Sequence, residues 1–242
     1  MENIFNNIST SLFTYLKKNE HLIISFEAEN SQFIRFNKAS IRQTGLVDDA
    51  SIGLKYIANG RTCYGAFTIS GQENVDYERG KSEIDRMRIE SKEIPEDPFL
   101  VLPKNFGSSH QINEVNGLPF DNAVDALTPA MQGVDFVGIW VNGKIYRGNA
   151  NSLGQKHWFE TDSFCLDYSL VTSSHQMVKG CYASNDWDQS EYEKYVEDSK
   201  IKLAIMDRKP VKVDTGEYKT WFEAAAVADF LGMFSWNGIS EA

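Results

Sequence analysis

Apolar and polar residues alternate along the stretch from Phe33 to Phe67, and turn residues separate the alternating runs. From Ile52 to Tyr56 every second residue is apolar, which is the pattern of a strand with one buried face. Asn59-Gly60 follows directly, and an Asn-Gly pair favours the positive φ angles of a two-residue type I′ turn. The stretch therefore predicts a strand, a tight turn and a second strand.

Apolar residues at helical spacing predict helices at several other places. An opening amphipathic helix of about four turns precedes a first strand that starts at His21. Further helices are predicted at 74–93, at 121–131, where Pro129 should end the helix early, and at 186–205. A short strand is expected after Thr215-Gly216. The last helix, from about Glu223, is apolar on almost every side. It either packs back on this domain or forms the edge of a missing part, and we favour the second.

The rest of the chain contains a second hairpin signal and a long connection. Asn142-Gly143, inside 138–146, predicts a second Asn-Gly hairpin. Prolines and glycines punctuate 95–119, which predicts a connecting loop that is extended in part.

Part of this stretch resembles a later segment of the same chain. Shifting the sequence by 112 positions aligns Arg35 with Arg147. Seven of the 22 aligned pairs are identical, against roughly one or two expected by chance. The identical pairs are Arg35/Arg147, Asn37/Asn149, Ser40/Ser152, Gln43/Gln155, Ser51/Ser163, Leu54/Leu166 and Tyr56/Tyr168. The excess indicates two related β units, at about 33–67 and 145–183.

These patterns predict an α+β fold of curved antiparallel β-sheets flanked by helices. The predicted organisation is an N-terminal α+β unit at 1–94, a connecting segment at 95–135, and a second β unit with C-terminal helices at 136–242.

Composition narrows the classes of function. The formal net charge of −10 argues against binding to a phosphate backbone, and no apolar run reaches the length of a membrane span. The N-terminus lacks the pattern of a signal peptide, and three widely spaced cysteines do not form a disulfide framework. A cytoplasmic protein without direct nucleic-acid or membrane contacts is expected.

The chain contains no HExxH or HExxxH metal motif, no GxSxG elbow, no P-loop and no paired CxxC. The best local metal cluster is His157 with Glu160 and Asp162, to which strand pairing could add His175 and Cys181. In a strand, however, His157 and Glu160 point to opposite faces, which favours polar residues at the protein surface over a metal site. Cys63 and Cys181 hold corresponding places in the two units, which fits small buried residues better than nucleophiles.

Several polar and aromatic residues leave two interpretations open. Asp48-Asp49 could have a chemical role, as a cation site or an acid/base pair. The alternative is a turn between strands, which we favour. Arg35 and Arg147 either clamp a carboxylate or pair with acidic residues inside each unit. The aromatic residues either line a peptide groove or pack in the core, which is favoured; they are Trp140, Tyr146, Trp158, Phe159 and Trp187.

Three segments carry a resemblance to the TldD/PmbA family. The family's N-terminal signature resembles residues 35–61, RFNKASIRQTGLVDDASIGLKYIANGR. Its mid-chain NSxG element resembles residues 150–155, ANSLGQ. A later segment of the family resembles residues 215–231, TGEYKTWFEAAAVADFL. They occur in the family's order and span nearly the whole chain.

Members of the family that this chain resembles are predicted zinc metallopeptidases and are described as modulators of DNA gyrase. They act in proteolysis of small peptides as two-subunit assemblies. In the zinc-bearing type, the ligand helix with HExxxH lies in the C-terminal half. No position of this sequence matches that motif, so no catalytic, cofactor-binding or metal residue is carried over.

The resulting hypothesis is an N-terminal, non-catalytic half that shapes a peptide-binding cleft. It would form a homo- or heterodimer with a TldD/PmbA-type subunit, while zinc comes from a partner or a C-terminal half. The alternative is a self-contained binding or scaffold module without proteolytic activity. The residues that would serve as substrate or structural positions are Arg35, Asn37, Arg147, Asn149, Asn151 and Ser152.

Overall fold

Three consecutive strands between two helices form an arrangement that occurs twice along the chain. The computed structural model describes residues 1–235 and 238, and it divides the chain into two compact units, Met1–Asp207 and Arg208–Ala242. The helices of the first unit are α1 (Glu2–Thr14), α2 (Glu73–Glu90), α3 (Phe120–Met131) and α4 (Gln189–Met206). Its strands are β1 (Glu20–Asn37), β2 (Ser40–Ala58), β3 (Arg61–Thr68), β4 (Ser109–Asn113), β5 (Asp135–Asn151), β6 (Lys156–Val171) and β7 (Met177–Ser184).

All seven strands belong to one open sheet, in which five strands have the order β3-β2-β1-β5-β6. Beyond β6, the short strand β4 pairs in parallel with residues 157–161, and β7 pairs antiparallel with residues 164–171. Every other pairing is antiparallel. The predicted α+β class with an antiparallel sheet is confirmed, and both β units lie in this one sheet.

The four helices of the first unit cover one face of the sheet with two apolar clusters. The first cluster joins α1 and α2 to β1 and β2, and it includes Phe5, Phe26 and Trp158. The second joins α3 and α4 to β5 and β6, and it includes Trp140 and Tyr192. Because Trp140 and Trp158 are 0% and 2% exposed, the aromatic residues proposed for a groove belong mainly to the core.

The two Asn-Gly pairs have different structures. Asn59 and Gly60 have φ angles of 50° and 71° and connect β2 to β3, which confirms the first hairpin. Asn142-Gly143, in contrast, lies in the middle of the continuous strand β5, so the second predicted hairpin is wrong. A Cβ on Gly143 would lie 2.4 Å from the carbonyl oxygen of Asn30 on β1. This glycine therefore allows two backbones to approach closely.

Two other local predictions also differ from the structure. Asp48 and Asp49 lie within β2, paired with Asn30 and Glu29 of β1, so they do not form a turn. Pro129 lies inside α3 and does not end it, because the helix continues two residues further. Ladder pairing and packing on the core outweigh these local turn and helix-breaking preferences.

The second unit, Arg208–Ala242, has one regular element among its described residues, the helix α5 (Ala224–Ser235). The strand predicted after Gly216 does not occur in the described part of this unit. No residue of α5 is buried, and Phe230 makes an edge-to-face contact with Phe222 at 5.2 Å between ring centroids.

A buried hydroxyl joins the two helices of the second cluster. The side chain of Tyr192, on α4, donates a hydrogen bond of 2.6 Å to the carbonyl oxygen of Leu127 on α3. Replacing Tyr192 by phenylalanine is expected to lower the free energy of unfolding by about 1 kcal/mol, because the carbonyl loses its partner. Chemical denaturation measures this. Tyr64→Phe is the control, since Tyr64 is 67% exposed, and equal losses in both variants would contradict the role of this bond.

Candidate functional site

The two faces of the sheet differ in character along β1. Its residues Phe26 and Phe36 are buried under the helices, whereas Glu27 and Arg35 are exposed on the opposite side. We call that opposite side, which carries the odd-numbered residues of β1, β5, β6 and β7, the exposed face. It presents strand side chains from widely separated parts of the sequence to solvent.

A groove of about 830 Å³ lies on the exposed face at one end of the central strands. Its lining residues come from five strands: Arg35, Phe36, Asn37, Arg42, Gln43, Val137, Gly138, Ile139, Asp167, Tyr168, Ser169 and Lys179. The register explains the grouping, because Arg35 lies opposite Gln43 on one side and Ile139 on the other. Asp167 pairs in turn with Ile139, so the groove crosses the strands.

A β-bulge places Arg42 at this groove. Arg35 pairs with Gln43 and the next residue, Phe36, pairs with Ile41, so Arg42 has no partner in the ladder. An extra residue in one strand redirects its side chain relative to regular alternation. Arg42 and Gln43 consequently line the same groove, although neighbouring residues in a regular strand point to opposite faces.

The groove combines an apolar floor with a cationic wall. Val137 and Ile139 form the apolar part, while Arg35 and Arg42 line the β1–β2 side. Among the described residues, neither arginine side chain has a hydrogen bond or an ion pair. On the opposite wall, Lys179 Nζ lies 3.4 Å from Asp167 Oδ2. The hydrogen-bond donors of the two arginines, which have no partner among the described residues, therefore lie on the β1–β2 wall.

The structure separates the two arginines of the internal repeat. Ser31 on β1 pairs with Gly143 on the antiparallel strand β5. Arg35 and Arg147 each lie four residues beyond this pair, in opposite directions along the sheet. At about 3.3 Å per residue they are roughly 26 Å apart, so they cannot bind the same small group. Arg147 donates to the carbonyl oxygen of Tyr146 at 2.9 Å.

The surroundings of Arg147 are acidic. It lines a shallow depression of about 140 Å³ together with Glu27, Glu29 and Asp49. The next candidate along this strand, Asn149, is exposed on the same face. Three carboxylates around one guanidinium disfavour an anionic ligand at this position.

Asn151 and Ser152 have structural partners. Asn151 is 5% exposed, and its side-chain oxygen accepts hydrogen bonds from the backbone N–H groups of Leu153 and Gln155. Ser152 Oγ accepts a hydrogen bond of 3.2 Å from the N–H of Leu22, which ties the β5–β6 turn to β1. The NSLG segment is thus a turn that orders this corner of the sheet.

The residues considered for a metal do not converge. His157 contacts Ser109 and Gln155, whereas Glu160 binds Lys144 at 2.9 Å. Within the described part of the chain, no three His, Cys, Asp or Glu side chains lie close enough together to hold a metal ion. These donors do not fit the zinc that the resemblance implies for a complete assembly.

Cys63 and Cys181 do not correspond in the structure. Cys63 is buried, but Cys181 is exposed and its Sγ lies 3.9 Å from that of Cys165. In the ladders, Cys63 pairs with Tyr56, whereas Tyr168, which lies 112 positions after Tyr56, pairs with Gly180 and not with Cys181. The shift between β3 and β7 is therefore 117, one less than the sequence match of Cys63 with Cys181 implies. Burial and the adjacent Cys181 thiol raise the pKa of Cys165 to about 11, which makes it a poor nucleophile at neutral pH.

Sequence patterns pointed to Arg35 and Asn37, which do line the groove, but not to Arg42 or Lys179. Arg42 lies seven residues after Arg35 in a segment of strand character, and its position depends on the bulge. Lys179 comes from β7, more than a hundred residues further on. No local pattern shows that these side chains meet.

Comparison with solved structures defines the class of fold: it is that of proteins proposed as modulators of DNA gyrase. One such protein, from Thermotoga maritima, matches 86% of this chain and 50% of its own length at 15% identity, with a TM-score of 0.60. Another, from Bacteroides thetaiotaomicron, matches 84% of this chain and 50% of its own length at 12% identity, with a TM-score of 0.55.

TldE from Thermococcus kodakarensis has the same fold, with a TM-score of 0.55 at 13% identity over 83% of this chain and 47% of its own. The resemblance to the TldD/PmbA family is confirmed at the level of the fold, and the chain spans about half the length of each neighbour. No family model and no curated protein matches the sequence. None of the described helices could span a membrane.

Proposed function

We propose that this chain is an N-terminal, non-catalytic half of a TldD/PmbA-like, metallopeptidase-related protein, and that the groove on the exposed face forms part of its peptide-binding cleft. The observation that carries the proposal is the groove itself, which joins an apolar floor at Val137 and Ile139 to unpaired polar donors. Ligand sites commonly combine an apolar lining with a few polar groups. The fold shared with TldE and the proposed gyrase modulators supports the choice of family.

The proposal assigns zinc chemistry to other residues. In this sequence no HExxxH motif occurs, and the donors around His157 and Glu160 face different partners. A partner subunit of the TldD/PmbA type, or a C-terminal half, would supply the zinc ligands. The part of this chain in the reaction is then to hold the peptide and to contact that partner.

Blocking the groove tests this role. Val137→Trp places an indole on its floor, and because Val137 is 40% exposed, the fold should tolerate the change. We expect Val137→Trp to weaken binding of unstructured peptides at least tenfold by calorimetry, since the peptide loses its contact with the floor. Ala66→Trp, at an exposed position of β3 outside the groove, is the matched control and should bind within twofold of the original chain. Unchanged binding by Val137→Trp would contradict the proposal.

Co-expression with candidate partners from the same genome separates the proposal from the scaffold alternative. A chain that binds peptide alone, and that supports cleavage once an HExxxH-bearing chain joins it, fits the proposed half. A chain that binds peptide but never supports cleavage with such partners fits the scaffold module. Stoichiometric zinc and cleavage by this chain alone would overturn both.

A further inference from the structure

We propose that the groove selects peptides that carry a carboxylate, which it binds with the side chains of Arg35 and Arg42. This inference rests on the proposed function, because it names the class of peptide that the same groove takes. The proposal starts from two arginines that line one wall and whose side chains have no acidic partner among the described residues.

The first argument is the unused hydrogen-bonding capacity of the wall. Each guanidinium has five N–H donors in a planar fork that matches the two oxygens of a carboxylate. Asn37 and Gln43 line the same wall, and their side-chain amides likewise make no hydrogen bond within the described chain. A carboxylate bound here would meet donors from both arginines and from the amides.

The second argument is the backbone that brings the arginines together. The β-bulge moves Arg42 out of the regular alternation and onto the groove, beside the strand position of Arg35. Bulges interrupt ladder hydrogen bonds and occur often where a side chain has to be redirected towards a site. Two like charges on one wall of a chain with a net charge of −10 are not explained by pairing inside the fold.

The third argument concerns the rest of the groove and the rest of the face. The positive charge of Lys179 is balanced by Asp167 at 3.4 Å, so the opposite wall is nearly neutral. Arg147, the repeat equivalent of Arg35, is surrounded by Glu27, Glu29 and Asp49 instead. Carboxylate recognition is therefore expected at Arg35 and Arg42 and not at Arg147.

Three peptides distinguish the outcomes. The first is an N-acetylated, C-amidated octapeptide of alanine and glycine with two glutamates; the second has both glutamates replaced by glutamine. The third is the glutamine peptide with a free C-terminal carboxylate. Calorimetry at low salt should show the glutamate peptide binding about tenfold more tightly than the blocked glutamine peptide. Comparable tight binding of the third peptide would also support the inference and would identify the chain terminus as the carboxylate source.

Variants then locate the preference. Arg35→Gln and Arg42→Gln should each reduce the advantage of the glutamate peptide over the blocked glutamine peptide several-fold, and the double variant should bind these two peptides with equal affinity. Arg147→Gln, on the same face, should keep the full preference. Thermal unfolding verifies that each variant is folded.

Each contrary result has a distinct meaning. Equal affinity for all three peptides overturns the carboxylate inference and leaves the peptide-binding cleft standing. Absence of binding by all three overturns the cleft as well. Preferential binding of a single-stranded oligonucleotide that Arg35→Gln weakens would overturn the peptide assignment in favour of a phosphate ligand.

Discussion

Replacing Arg88 by alanine is expected to lower the free energy of unfolding by about 3 kcal/mol or more. Arg88 on α2 makes a bidentate pair with Glu20 at the start of β1, with distances of 2.9 and 2.8 Å. Both side chains are only 10% exposed. Arg88 also donates to Asp85 and to the carbonyl oxygen of Tyr15. Its removal leaves the carboxylate of Glu20 buried without its cation.

This pair also predicts how stability depends on pH. Burial opposes ionisation of Glu20, but hydrogen bonds from Arg88, the Lys17 backbone and Tyr56 outweigh it and lower the pKa of Glu20 to about 2. A carboxyl whose pKa is lower in the folded state stabilises the fold above its unfolded pKa of 4.5. The contribution, on the order of 3 kcal/mol, is lost as the pH falls from about 4.5 towards 2.

Urea denaturation between pH 7 and pH 2.5 measures both effects. Arg88→Ala should be less stable at neutral pH and should lose less stability on acidification, because the pKa of Glu20 is no longer lowered by its partner. Arg86→Ala, on the same helix, is the control: Arg86 is 46% exposed, and its removal should cost about 1 kcal/mol or less. Equal losses for both variants, or an unchanged acid profile for Arg88→Ala, would contradict this account.

Gly143→Ala is expected to destabilise the centre of the sheet by about 2–3 kcal/mol. The new Cβ would lie 2.4 Å from both the Asn30 carbonyl oxygen and the Ser31 Cα. These are backbone atoms of β1, so no side-chain rotation can relieve the overlap. The strands β1 and β5 would have to separate where Ser31 pairs with Gly143.

Thermal and chemical unfolding check this effect. The matched control is Gly117→Ala, because a Cβ there would meet only the Asn142 side chain at 3.8 Å. That control should stay within about 0.5 kcal/mol of the original chain. A Gly143→Ala variant as stable as the control would mean that the close approach of β1 and β5 contributes little.

The contrast between the two Asn-Gly pairs shows how far local sequence predicts this fold. Alternation before Asn59-Gly60 and the turn preference agree, so the first hairpin was predictable. The same dipeptide at Asn142-Gly143 lies inside a strand, because the neighbouring backbone of β1 requires a glycine there. The local sequence carries no information about that neighbour.

The groove was predictable only in part for a related reason. Arg35 and Asn37 follow from the repeat and from the family resemblance, since both features lie in one short segment. Arg42 depends on a register shift between two strands, and Lys179 on a strand that pairs with β6. The exposure of Cys181 likewise depends on a one-residue difference in register, which turns a strand residue to the other face.

Mapping of peptide binding on the isotope-labelled chain tests the central claim most directly. Titration with the blocked glutamate octapeptide should change amide chemical shifts around Arg35, Arg42 and the β5 segment 137–139, with much smaller changes around Arg147. That pattern would place the ligand in the groove of the exposed face. Shifts concentrated on α4 or on the β3 edge, or saturation with no shifts in the groove, would contradict the account.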